Sequence, residues 1–322
     1  MSVYLDERQI NQMSHNELRE DLIKRNLTPN GDARILRRRL IHNCKPREKQ
    51  LYQFLAVIDF EATCVARPLD PYIQEIIEFP IVLIDVSQQS IIDTFHSYCR
   101  PVLQPILSDY CKQLTGITQE QVNHAPTFTE VFANVEKWLN ERNLILDSKE
   151  ICLFITDGPA DFNKYLRKQC EISQIKYPTW ASQWLNVKQT FRNFYFVTPG
   201  RIKNMLDSLQ LQFDGNLHSG LDDAKNIAKI VIQLIQDGCV LIPNESYTSS
   251  MIPSGRFASI RNDPTRIRCL NCSRSHFNGR SCIKDTSRRR QRSKYHRSLS
   301  RETIPSLLEF SFPSASRRLT KH

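Results

Sequence analysis

Segment 54–60 constrains the fold of this 322-residue chain more than any other. It is a short, near-continuous apolar run, the pattern of a buried strand. It leads into Asp59-Phe60-Glu61-Ala62-Thr63. Residues two apart on a strand point the same way, so Asp59 and Glu61 leave one strand face as a pair of carboxylates. Like charges that close repel, and burying them without a cation is costly. Oxygen ligands at this spacing suit Mg²⁺ or Mn²⁺. A D-x-E pair also arises at ordinary exposed strand ends, so it needs support from elsewhere in the chain.

Segments 79–86 and 151–155 read as further buried strands, and 91–98 alternates as a half-buried one. Apolar residues at helical spacing predict helices over 127–139, 161–169, 201–209 and 222–236. The last carries Ile227, Ile230, Val231, Leu234 and Ile235 in one stripe. Strands in meander order that then alternate with helices imply an α/β fold, a mixed sheet flanked by helices. Ahead of it, 9–44 reads as a small helical module. Ser14 and Glu17 form a capping-box pattern, Pro29-Asn30-Gly31 stops the first helix, and Asp32 caps a second. Ile35, Leu36 and Leu40 share one face of that second helix. Arg34, Arg37, Arg38 and Arg39 are expected on its other faces. So small a unit buries little core by itself. Segment 45–50 reads as a linker, 53–245 as the main domain, and 246–322, rich in Ser, Arg and Pro, as a largely disordered tail.

The charge divides along the same boundaries. Residues 246–322 hold 17 Lys and Arg against 4 Asp and Glu, and residues 1–52 hold 11 against 7. Residues 53–245 hold 16 against 23. An acidic centre between basic arms suits a metal-dependent site flanked by polyanion-binding segments. No window approaches the ~18 consecutive apolar residues of a membrane helix, and the first nine residues carry two acids and no apolar core. No export signal or membrane partner is therefore expected, and most of the ten cysteines should be reduced thiols in a cytoplasmic and nuclear protein.

Two further segments support the Asp59–Glu61 pair. Thr156-Asp157-Gly158-Pro159-Ala160-Asp161-Phe162 follows the 151–155 strand and opens a helix. His218-Ser-Gly-Leu-Asp222-Asp223 opens the long last helix. A loop His and a first-turn Asp five residues on can converge on one site, although an Asp there also complements the helix dipole.

These residues resemble the DEDD-type 3′–5′ exonucleases of the RNase H-like fold, in the subgroup with His. The likeness is closest to the Eri-type exoribonucleases, the histone-mRNA 3′-exonuclease family. It also rests on Phe79-Pro80-Ile81, Leu114-Thr115-Gly116-Ile117, Tyr177-Pro178, Asn193-Phe194-Tyr195 and Asp237-Gly238-Cys239. The pattern Leu18, Leu22, Asn26-Leu27, Gly31, Leu36, Arg39-Leu40 resembles a SAP module, which this family often carries. The resemblance implies that Asp59, Glu61, Asp161 and Asp223 hold two Mg²⁺ ions, with Mn²⁺ as a substitute. It implies His218 as general base, and Glu61, Ala62 and His218 as contacts of the terminal nucleotide. It favours Asp161 over Asp157 and Asp223 over Asp222. The implied reaction is removal of nucleoside 5′-monophosphates from RNA 3′ ends: stem-loops, small interfering RNA or ribosomal RNA. Two cations can neutralise phosphoryl charge and stabilise the leaving oxygen, and a histidine of ordinary pKa ~6.5 can accept the water's proton. DNA is the alternative substrate, and a non-catalytic RNA-binding adaptor the alternative role. One departure stands out: Ala160 occupies a position where the family usually has an aromatic residue.

The basic flanks extend the reading. Arg34, Arg37 and Arg38 of the SAP-like module are expected to contact nucleic-acid backbone, which positions without specifying sequence. Cys269, Cys272, His276 and Cys282 have zinc-ligand types at near-knuckle spacing, so the tail is a candidate for a structural Zn²⁺. The arginine run from Arg288 suits a nuclear address or a further RNA contact. Cys64, Cys99, Cys111, Cys152, Cys170 and Cys239 are expected in the core, and Tyr177, Trp180 and Trp184 in packing rather than along an RNA path.

Overall fold

The computed structural model describes residues 5–67, 72–145 and 151–247, together with the backbone of 266–268 and 275–277. Residues up to 251 form one compact unit and those from 252 a second.

Three helices open the first unit: α1 (Glu7–Gln12), α2 (His15–Lys24) and α3 (Ala33–Asn43). Ser14 and Glu17 cap α2 reciprocally, and Asp32 accepts the N–H groups of Arg34 and Ile35 at the start of α3. Helix α1, with its own capping box from Asp6 and Gln9, is one helix more than the sequence pattern predicts. Ile10, Leu18, Leu22, Leu36, Leu40 and Ile41 bury one another in a small core. Ile35 instead joins the larger core of the neighbouring domain.

The mixed sheet contains β1 (Phe54–Val57), β2 (Glu61–Ala62), β3 (Ile76–Asp85), β4 (Ser90–Tyr98), β5 (Cys152–Thr156), β6 (Gln183–Asn186) and β7 (Glu245–Ser246). Strand β3 is the hub. It pairs antiparallel with β1, with β2 and with β4, while β1–β5 and β5–β6 are parallel. Parity along the strands sorts the core, as a period of two requires. Leu55, Val57, Val82, Ile84, Leu153 and Ile155 face α8 (Val187–Tyr195), α9 (Ile202–Leu209) and α10 (Gly220–Gln236). Ala56, Ile58, Ile81, Leu83 and Phe154 face α6 (Phe128–Glu141) and α7 (Arg167–Ser173). Helices α4 (Asp109–Thr115) and α5 (Gln119–Asn123) add a satellite core around Ile77, Leu107 and Cys111.

The run expected as one strand over 54–60 is broken. Strand β1 ends at Val57, and the chain resumes pairing at Glu61 with an irregular register against β3. Between them the Ile58 N–H goes to the Ile155 carbonyl, and the Phe60 N–H to the Asp161 carboxylate at 3.1 Å. The expected helix over 161–169 also differs. It begins as a π-helical turn at Asp161–Leu166 before α7, a widened geometry that often marks functional sites.

Arg39 overturns an expectation more sharply. The pattern places it off the apolar face of α3, yet it is 1% exposed. Its Nε donates to Asp237 at 2.6 Å, and its Nη1 to the carbonyls of Thr28 and Asn30. Tyr195 Oη and Gln233 Nε2 donate to the same Asp237 carboxylate. Arg47 and Gln50, in the expected linker, bond the carbonyls of Gln236 and Cys239. The three helices are therefore docked on the main domain rather than tethered to it.

In the second unit, β8 (Arg266–Arg268) pairs antiparallel with β9 (Ser275–Phe277). His276 lies in β9; Cys269, Cys272 and Cys282 lie outside the described residues, as does the run from Arg288. Among the described residues, no helix is long and apolar enough to cross a membrane.

Candidate active site

Four elements converge at the broken end of β1. The β1–β2 segment brings Asp59 and Glu61. The π-helical turn after β5 brings Asp161, and the start of α10 brings Asp223. The loop before α10 brings His218. Ligand atoms of Glu61, His218 and Asp223 lie within 4.8 Å of one another. Asp161 is oriented by the Phe60 N–H and sits close enough to Asp59 to raise its proton affinity. Asp157, the alternative to Asp161, stands at the edge of the group and is ion-paired with Lys188 at 2.5 Å. Asp222, the alternative to Asp223, accepts the Asn216 N–H at 2.9 Å.

Local constraints hold His218 in place. Asn226, fully buried, accepts the Asp214 N–H and donates to the Asp214 and Asp222 carbonyls, tying the loop to α10. His218 adopts a left-handed backbone (φ 64°), uncommon for a residue with a Cβ, and its N–H donates to Asp223 at 3.0 Å. Gly220 is required by close approach: a Cβ there would lie 2.6 Å from the Asp59 carbonyl. A glycine thus lets α10 start directly against the segment between β1 and β2, which brings Asp223 to Asp59.

The electrostatics are those of crowded acids. Burial, then repulsion from Asp161, Asp223 and Glu61, raises Asp59 well above the usual carboxylate range. Burial and the neighbouring Glu78, Asp223 and Asp161 push Glu61 up to about 9. Burial chiefly raises Asp161 to about 7 and Asp223 to about 6. The Asp223 Oδ1 is buried without a hydrogen-bond partner. An unmatched buried acceptor among several carboxylates fits a divalent cation, which would satisfy it and offset the repulsion.

Other expected contacts fall differently. Arg34 is exposed on α3. Arg37 Nη2 donates to the Met13 carbonyl. Arg38 Nε donates to the Phe194 carbonyl, and its guanidinium covers the Phe196 ring at 4.5 Å, so it lies in the seam between the helices and the domain. Ala160 is exposed beside Asp161. Cys99, Cys111, Cys170 and Cys239 are buried. Trp184 is fully buried, Trp180 packs on Phe154, and Tyr177 stacks on Tyr247.

Two participants, Glu78 buried and Lys188 half-buried, escape the sequence pattern. Glu78, inside the apolar run of β3, faces Glu61 across the β2–β3 register. Lys188, on α8, is the cation beside Asp157.

The comparisons with known proteins agree with this geometry. Residues 56–231 match the exonuclease family model. The chain is 40% identical over 256 residues to human 3′–5′ exoribonuclease 1, covering 76% of this chain and 73% of that one. A solved nuclease domain described as a DEDDh family member bound to rAMP is 43% identical with a TM-score of 0.58, covering 61% of this chain and 98% of that one. A 3′-exonuclease solved in recognition of the histone mRNA stem-loop is 41% identical with a TM-score of 0.59, covering 62% and 89%. With one centre of acids and a histidine at the end of a mixed sheet, and with matches of this extent, the chain belongs to the exonuclease family, in its branch of DEDDh 3′–5′ exoribonucleases.

Proposed function

We propose that the chain trims the 3′ ends of structured and small RNAs, releasing nucleoside 5′-monophosphates. The observation that carries this reading is the unmatched, buried Asp223 Oδ1 within a group of acids whose proton affinities are all raised. Asp59, Glu61, Asp161 and Asp223 would hold a pair of divalent cations, Mg²⁺ by family. When bound, these supply neutralisation of phosphoryl charge and stabilisation of the leaving oxygen.

The chain's own residues do the rest. The Phe60 N–H keeps the Asp161 carboxylate aimed into the centre. His218, half-buried on its loop, accepts a proton from the attacking water on an imidazole nitrogen. Glu61 and Ala62 border the terminal nucleotide. The cluster of acids repels phosphate until it is neutralised, which ties turnover to metal supply.

The relative solved with the histone mRNA stem-loop motivates stem-loop 3′ ends as the first substrate class to examine. The N-terminal helices, as a SAP-like module, would grip the duplex backbone, with exposed Arg34 as a phosphate contact, Arg37 beside it and Arg38 at the seam. A zinc site at Cys269, Cys272, His276 and Cys282, and residence in both nucleus and cytoplasm, complete the proposal. The basic composition of 246–322 supports both.

A 5′-labelled RNA stem-loop with a 3′ flank, and its DNA counterpart, test the reading with Mg²⁺, Mn²⁺ or chelator. We expect a ladder shortening from the 3′ end on RNA, abolished by chelator and by Asp161→Ala. Equal degradation of DNA would overturn the RNA assignment. Tight stem-loop binding without shortening would favour an adaptor.

A further inference from the structure

Glu78, the third residue of β3, is 2% exposed, among Ile77, Phe79 and Ile81. A carboxylate in that setting needs partners, and three elements supply them. His96 Nε2 on β4 lies 2.9 Å from Oε1. The N–H groups of Gly220 and Leu221, the first two residues of α10, donate to Oε2 and Oε1 at 2.9 and 3.2 Å. These N–H groups belong to the turn that has no intrahelical acceptors, and the helix dipole favours a negative charge there. The Ser219 side chain caps the Asp222 N–H instead, so Glu78 serves donors that the local cap does not reach.

The consequence reaches the nuclease centre by short steps. The bonded residues, Gly220 and Leu221, lie between His218 and Asp223, whose backbone N–H and carboxylate bond each other. Gly220 also lies against the Asp59 backbone. Across the strand pair, Glu78 faces Glu61 directly. One buried side chain therefore spans both halves of the centre, the β2 half with Glu61 and the α10 half with His218 and Asp223.

We propose that Glu78 is a positioning residue for the exonuclease reaction: its carboxylate, shared between His96 and the first two N–H groups of α10, sets His218 and Asp223 at their working distance from Glu61 and Asp59. Glu78 does not touch the substrate in this role. It acts through the helix start, as outer partners orient the groups that do the chemistry. The proposal rests on the assignment of the five-residue centre.

The test uses the full chain and the labelled RNA assay. Glu78→Gln keeps the shape but turns one acceptor into an amide donor facing a helix N–H. We expect kcat to fall at least tenfold, KM to stay within twofold, and Mn²⁺ binding, read by electron paramagnetic resonance in the absence of RNA, to weaken at least threefold. Glu78→Asp, which restores the charge, should recover part of the lost kcat. His96→Gln leaves the helix N–H bonds intact and should lower kcat two- to fivefold at unchanged KM. If Glu78→Gln does not fold, His96→Gln decides alone. Wild-type kcat and Mn²⁺ affinity in folded Glu78→Gln, or in His96→Gln in that case, would overturn the proposal. So would a loss of activity in Glu78→Gln that only tracks the folded fraction in melting curves. Asp161→Ala runs alongside. Full activity there would overturn the centre itself, whereas its loss together with a fully active Glu78→Gln overturns only the role of Glu78.

Discussion

Asp237 and Asp161 are both almost fully buried, at 4% and 6% exposed, yet their surroundings are opposite. Asp237, at the seam between the N-terminal helices and the nuclease domain, meets Arg39, Tyr195 and Gln233. Asp161, in the candidate centre, accepts the Phe60 N–H and sits among other acids, with Lys188 the nearby cation. A buried charge matched within the protein specifies where two parts join. Buried acids that outnumber the one nearby cation, Lys188, suit a cation from outside. The contrast separates a carboxylate matched within the protein from one crowded by its own kind.

Substitutions at the two places should therefore split activity from stability. Asp161→Ala is expected to lower kcat by about a thousandfold or more. Its thermal midpoint in chelator should equal or exceed the wild type's, because a repelling, desolvated charge is removed. Arg39→Ala should do the reverse. It leaves Asp237 buried without its cation, at a cost of about 3–5 kcal/mol, while each molecule that remains folded keeps its kcat on a short unstructured RNA. Calorimetric melting and single-turnover kinetics on both variants check the pair. Comparable destabilisation of the two would break the comparison.

The effect of pH sharpens it. Without metal, Asp223 sits at about 6, Asp161 at about 7 and Glu61 at about 9. The unfolded chain has ~3.9 for Asp and ~4.3 for Glu. The folded protein thus binds more protons than the unfolded chain across that interval. The stabilising share of these groups is complete below about pH 4 and is lost as pH rises through the folded values. In chelator, Asp161→Asn should therefore gain stability relative to wild type between pH 5 and pH 8, as read by denaturant unfolding, and saturating Mg²⁺ should remove that gain. A constant difference across this range would contradict the raised acids.

Much of the centre was legible because its signals are local. Asp59 and Glu61 lie two residues apart at the break between β1 and β2, and His218 and Asp223 flank the start of α10. Asp161 opens a helix after a buried strand. Strands β3 and β5 match continuous apolar runs and helices α6, α9 and α10 their helical periods, whereas β4 lies where expected without the alternating burial its pattern suggests. What was hidden depends on distant partners. Glu78 reads as one polar residue in an apolar strand until β4 and α10 bring His96 and two N–H groups to it. Arg39 reads as one of four arginines off the apolar face of α3 until Asp237, 198 residues later, pairs with it. At the break after β1 the Phe60 N–H goes to Asp161, and a strand pattern carries no trace of that bond. Helix α8 was missed because Val187, Phe191, Phe194 and Tyr195 are diluted by Lys188, Gln189, Arg192 and Asn193.

The smallest effect is expected at the rim of the centre. Ala160→Trp places an aromatic surface beside Asp161 at an exposed position. Stability should stay within about 0.5 kcal/mol, and KM for RNA should fall two- to fivefold at unchanged kcat. An unchanged KM would mean that the terminal base does not reach this edge.

The most direct measurement of the central claim is calorimetric titration of Mg²⁺ into the metal-free protein at pH 7, in two buffers of different ionisation enthalpy. Acids that hold protons until a cation displaces them must release them on binding. The account predicts saturable binding with release of at least one proton per molecule, and both are reduced in Asp161→Asn. Binding without proton release, or binding unaltered in Asp161→Asn, would contradict it.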